Sequence, residues 1–186
     1  MTGIVLAVVL VLLIVWSIHT QRRLAVMDEN INSAMGQIGV QLSSRFDALT
    51  RLLEVAEGCA AGETQPLIDT VRGRRGTITA QSTPDDVLRQ EGVIDQALSG
   101  IAKLAARHPE LTANECYAKC MKAVDCYEKM LRTSHLIYND SVTKLNRELR
   151  IFPTALLGSL FGFRRRGYLE AAEEQGGPTR SETKVC

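Results

Sequence analysis

Aromatic side chains make up only 5% of this 186-residue chain, with a single Trp, and no basic cluster is interleaved with them. That scarcity argues against single-stranded nucleic-acid recognition, in which bases stack on rings set between positive charges. Charge of one sign is also missing. Lys and Arg number 22 against 21 Asp and Glu, for a formal charge of +1, so nothing draws the chain as a whole to a polyanion and no nucleic-acid partner is expected. The cluster from Arg72 to Gly76, with Arg74 and Arg75 inside it, reads as a solvated helix face or loop. Sustained period-two alternation rich in β-branched residues is absent, which argues against a sheet. Five cysteines, Cys59, Cys116, Cys120, Cys126 and Cys186, are odd in number and lack the spacing of a disulfide scaffold, so reduced thiols are expected. Cys116 and Cys120 lie one helical turn apart, but Cys126, His108 and His135 do not converge on them by spacing. No metal or cofactor is expected, and small buried hydrophobes are the expected role of that pair. No nucleophile or acid is placed to work with His135, so no catalytic residue is assigned.

What is present is a long apolar run. Ile4 to Trp16 is unbroken and reaches Ile18 across Ser17. About 18 residues at roughly 1.5 Å each give about 27 Å, close to the hydrocarbon thickness of a bilayer. No Lys or Arg precedes the run and no small-residue cleavage site comes after it, which favours an uncleaved transmembrane anchor over a secretory signal. Its expected residues include Ile4, Val5, Leu6, Leu10 and Leu13, with Trp16 at the interface and Arg22 and Arg23 directly after it. Basic residues on that flank place the N-terminus outside and the bulk of the chain in the cytoplasm of a single-pass cell-membrane protein.

Beyond the anchor, Leu24, Asp28, Ile31, Met35, Ile38, Leu42, Arg45, Leu49, Leu52 and Ala56 alternate in steps of four and three, the seam of a long helix. That helix is expected to reach about Glu57 and to stop at Gly58. Residues 59–83 are the least regular, although a short helix is allowed after Pro66. Thr83-Pro84-Asp85-Asp86 starts another helix, which His108-Pro109 ends. Thr112 and Glu115 match a capping box. A last heptad series runs from Tyr117 through Met121, Val124, Glu128, Leu131, His135, Tyr138, Val142, Leu145 and Leu149 to Phe152. The expected fold is all-α: an N-terminal transmembrane helix continuing into an antiparallel bundle of three to four helices, two of them long. The expected divisions are an anchor at 1–20, a cytoplasmic bundle at 21–152, an apolar and basic membrane-proximal segment at 153–168 and a flexible tail at 169–186.

In this order, Asp28, the run Gln37-Ile-Gly-Val-Gln-Leu42, Arg45-Phe46-Asp47, His108 to Glu115, Tyr138-Asn139-Asp140, Val142, Asn146, Phe152-Pro153 and Phe161-Gly-Phe163 resemble the LemA family of bacterial membrane-anchored proteins. The resemblance implies a single-pass protein with a cytoplasmic helical bundle and implies no particular activity.

Two groups of residues stand out. If the two long helices are antiparallel and in contact, opposed positions add to roughly 171, which sets Arg45 within a turn of Glu128 as a candidate seam ion pair. The second group is Phe161 and Phe163 with Arg164, Arg165 and Arg166 directly after them. An apolar segment trailing basic residues suits an anionic leaflet, so these five are candidate membrane-surface contacts. The expected function is a non-enzymatic, membrane-anchored helical scaffold or adaptor. The alternatives are a thiol- or metal-dependent sensor using Cys116 and Cys120, and an enzyme with an unrecognised site. The expected partners are the lipid bilayer and an unidentified protein, and the heptads leave a homo-oligomer open as well.

Overall fold

The computed structural model describes residues 2–169, and no strand occurs among them. In chain order the described helices are α1 (Thr2–Arg74), α2 (Pro84–Arg107), α3 (Pro109–Ala113), α4 (Glu115–Glu148) and α5 (Thr154–Leu160). The fold is an all-α bundle with a long apolar N-terminal extension.

The composition of α1 changes sharply along its length. From Ile4 to Ile18 its large apolar side chains are exposed, whereas from Leu24 onward Ile31, Met35, Ile38, Leu42, Leu49, Leu52 and Ala56 are buried. The spacing of three and four puts these on one stripe. Each fully buried Leu or Ile contributes about 1.5–3 kcal/mol relative to exposure. The helix breaks at Ala60, with φ −146° and ψ 57°, three residues beyond the expected end. Gly58 remains helical, and beyond the break the chain forms a second helical run from 61 to 74 rather than an irregular segment. The buried Thr64 hydroxyl donates to the Ala60 carbonyl across the break, at 2.9 Å. The run turns back alongside the first part of α1. Arg75 pairs with Asp47 at 2.8 Å and sits 5.5 Å from the centre of the Phe46 ring. Tertiary packing overrides the weak helix propensity of Gly62, Pro66 and Gly73 there.

Gln90 of α2 is buried and ties down the end of the returning run. It accepts from Gly76 N at 2.6 Å and donates to the Arg74 carbonyl at 3.2 Å. The α2 helix starts at the expected place, with a Thr83–Asp86 capping box. The capping box expected at Thr112 does not form. Pro109 opens the short helix α3, in which the Thr112 hydroxyl donates to the Pro109 carbonyl. The cap of α4 is instead Asn114, which accepts from Cys116 N at 2.8 Å.

Helix α4 runs antiparallel to α1. Arg23 meets Glu148 at 2.8 Å near one end, and Arg45 meets Glu128 at 3.1 Å further along. Asp95 of α2 reaches Arg45 from another side, and Leu104 packs with Ala56 and Ala60. The α4 seam ends at Leu149 rather than at Phe152, whose side chain is exposed. The chain then makes α5 and an extended strap, residues 163–169, that passes back over α1 and α4. Of the tail expected at 169–186, Leu169 is instead buried in the main core, and 170–186 lie outside the described residues.

Glycine matters at one point of closest approach. A Cβ on Gly39 would stand 2.3 Å from the Ile78 carbonyl oxygen, whereas one on Gly36 meets nothing within 4 Å. Gly36→Ala is expected to stabilise the full chain by up to about 1 kcal/mol through helix propensity, while Gly39→Ala costs about 1–3 kcal/mol by overpacking. Thermal unfolding monitored by circular dichroism should therefore move in opposite directions for the two variants.

Candidate membrane-proximal site and buried charge layer

A layer of charge crosses the apolar seam where α1, α2 and α4 meet. The Arg45 side chain is 5% exposed, with Nη2 3.1 Å from Glu128 Oε2 and 3.3 Å from Asp95 Oδ1, whose side chains are 32% and 65% exposed. Arg132 donates to the other oxygen of Glu128 at 2.8 Å. Close by, the buried His135 Nε2 lies 3.1 Å from Glu91 Oε1, although neither that atom nor Arg45 Nε has a hydrogen-bond partner. Partial burial pushes the Asp95 carboxyl above its ordinary range. Arg45 offsets this, and the charges of Glu128 and Glu91 add to it. The layer contributes little net stability compared with an apolar one, but it penalises any register that strands Arg45. Reading the sequence places Arg45 near Glu128 and misses Asp95 and Glu91. These two sit one turn apart on α2, flanking the inward-facing Ile94, and that is the only signal they leave.

The second assembly stands at the end of the bundle next to the apolar run. Ile4, Val5, Leu6, Leu10 and Leu13 are well exposed, and Trp16 less so. Arg22 is exposed, and Arg23 pairs with Glu148. Helix α5 packs on α1 where Thr20 and Leu24 are buried. A Cβ on Gly158 would meet Leu149 at 2.5 Å and Leu24 at 3.8 Å, so the close seat of α5 depends on that glycine.

The strap holds α5 there. Asn146 donates to the Arg166 carbonyl and accepts from Arg166 N, at 2.9 and 3.0 Å. Asn139 treats Leu169 the same way, at 2.7 and 2.9 Å. The two asparagines are seven helical residues apart, about 10.5 Å, and three extended residues span about 10 Å, so helix and strap are commensurate. Tyr138 donates its hydroxyl to the Gly167 carbonyl at 3.0 Å. Burial pushes its pKa up, partly offset by Arg166.

This geometry divides the five residues expected at a membrane surface. Arg166 is engaged by Asp28 through Nε and Nη2 at 3.0 and 2.9 Å and also reaches Asn32. Phe163 packs against the core. Those two face the bundle because the strap turns back over it. Phe161, Arg164 and Arg165 remain exposed.

Cys59, Cys116 and Cys120 are free thiols, but Cys126 is disulfide-bonded, which departs from the expectation of reduced thiols throughout. Cys116 is exposed, so it does not take the expected role of a small buried hydrophobe, whereas Cys120 is half-buried and packs against the main core. Among the described residues no group of three or more His, Cys, Asp or Glu is arranged to hold a metal ion.

The family model for LemA matches residues 34–182. The chain belongs to the LemA family. A search of curated proteins finds no match. In this LemA-family chain the matched stretch takes in Arg45, Asp95, Glu128, both strap asparagines and Arg166, while the apolar run precedes it.

The charge layer makes an asymmetric prediction. Asp95→Asn leaves Glu128 on Arg45 and should change stability near neutral pH by less than about 1 kcal/mol. Asp95→Asn combined with Glu128→Gln strands a buried guanidinium and should cost about 3–5 kcal/mol. Chemical denaturation of the two variants and the parent measures this. A raised carboxyl pKa gives stability that is present below the ordinary aspartate range, about 3.9, and lost as pH rises through the elevated value. Asp95→Asn should flatten the stability–pH curve over that interval. The strap makes a second prediction. Asn139→Ala with Asn146→Ala should raise the rate of proteolysis at Arg164–Arg166 several-fold, at unchanged helix content, by releasing two bracketed backbone segments.

Proposed function

We propose that this LemA-family chain is a single-pass membrane protein with its N-terminus outside. Its bundle stands in the cytoplasm as a non-enzymatic scaffold that holds a protein partner at the membrane. The observation that carries this reading is the continuity of α1. A stretch whose mean hydropathy reaches 2.5 over 18 residues, none of them buried, runs into the buried seam without a break before Ala60. An apolar surface of that length needs a bilayer to cover it. A helix that is both span and core fixes the bundle's pose, which is what a scaffold requires. Arg22 and Arg23 at the junction favour the cytoplasmic side for the bundle.

Cys116, an exposed free thiol, offers a probe of orientation in the full chain. A membrane-impermeant maleimide is expected to label it in inverted membrane vesicles and not in right-side-out ones, and the reverse pattern would overturn the orientation. A photo-crosslinking residue at the exposed position Lys129 or Leu136 is expected to give a discrete adduct with a second protein in intact cells. Absence of any adduct across the exposed faces of α2 and α4 would count against the scaffold.

A further inference from the structure

We infer that α5 is a second membrane contact, with Phe152, Leu156 and Leu160 seated in the leaflet on the bundle's side of the bilayer. The inference rests on the anchored reading above and adds a contact surface to it. Phe152, Leu156 and Leu160 are 81%, 67% and 76% exposed. Leu156 and Leu160 are one turn apart on α5 and so share a face, and Phe152 lies in the turn just before the helix. Three such exposed side chains within nine residues, with Ile151 beside them, make the kind of apolar patch that marks an interaction site.

Position identifies the occupant. Leu24, near Gly158 of α5, is six residues past Ile18, the last apolar residue of the run, or about 9 Å along the helix. An amphipathic element lying on a membrane buries its apolar face about 5–10 Å into the headgroup and acyl boundary, so α5 stands at the depth where such a face is covered. A protein occupying the same face would have to fit between the bundle and the headgroups.

Charge agrees with this placement. Arg22, Arg150, Arg164 and Arg165 are exposed, and the last two line a groove with Leu149, Ala155 and Ser159 on the flank of α5. Cations placed around an apolar face favour an anionic leaflet. The contact is also preorganised. The fit at Gly158 and the strap bonds at Asn139 and Asn146 hold α5 on the bundle before any lipid is met.

The test uses the full chain reconstituted into vesicles of phosphatidylcholine and phosphatidylglycerol, with and without bromine on the acyl chains. Trp16 is the chain's single tryptophan, and its quenching in the unaltered protein reports whether the anchor is inserted. In a Trp16→Phe background, Leu156→Trp and, separately, Leu160→Trp are expected to lose about half of their emission to brominated lipid, as for a ring at the acyl boundary. Leu136→Trp, at an exposed position on α4, should lose less than about a tenth, since α4 runs away from that boundary. Each variant is first checked for parental helix content. If Trp16 is quenched but neither α5 tryptophan is, the second contact is overturned and the anchor stands. If Trp16 itself is not quenched, the anchored reading fails, and this inference with it. Equal quenching at positions 136, 156 and 160 would mean that the whole bundle lies on the surface, which also overturns a local contact.

Discussion

One constraint organises the molecule: α1 joins a wholly apolar, exposed stretch to a half-buried seam without a joint. Its first turns expose apolar side chains on every face, and its later turns bury one stripe and hydrate the rest. The transition falls between Ile18 and Leu24, and much of the tertiary structure gathers there. Arg23 binds the end of α4, Leu24 meets α5, and Asp28 receives Arg166 from the strap. At the far end α1 breaks at Ala60 and folds back on itself. The bundle is thus built around one stiff element, on which α2, α4 and the returning run are laid.

Polar contacts inside the bundle select an arrangement more than they add stability. Apolar heptads slide past one another at low cost, so a seam of Leu and Ile alone would tolerate several registers. Arg45 does not tolerate them, because only one alignment of α1, α2 and α4 brings Glu128 and Asp95 to it. The strap works by a different device with the same result. Asn139 and Asn146 each close two hydrogen bonds on a backbone unit, and a shift of one residue would expose Leu169 and part Arg166 from Asp28.

Much of the framework is legible in the sequence, for identifiable reasons. Heptads declare long helices, and a constant rise per residue converts sequence number into height, which is why Arg45 and Glu128 can be paired from their numbers alone. The returning run after Ala60 is not legible, because Gly62, Pro66 and Gly73 argue locally against the helix that packing on α1 enforces. The strap leaves no trace in periodicity, since Asn139 and Asn146 recognise backbone rather than side chains. Three consecutive arginines read as one feature, yet Asn146 brackets the backbone of Arg166 alone and sets its side chain beside Asp28. Arg166 therefore goes to Asp28 while Arg164 and Arg165 face solvent. The proline of Pro109-Glu110 opens a helical turn of its own, and this moves the cap from Thr112 to Asn114.

The unjointed α1 also has a mechanical meaning. From Gln21 to Ala60 the helix extends about 60 Å beyond the apolar run, and transmembrane helices tilt by about 20° on average, so in the proposed anchored arrangement the far tip would stand about 20 Å off the bilayer normal. With no hinge between the apolar run and the seam, any change in the angle of an anchored span would be magnified at that tip. Local thickening or thinning of the bilayer, which a single helix meets by changing its tilt, would be converted into lateral travel of the turn at Ala60. In that sense the bundle would be the pointer of a lever whose short arm is the apolar run.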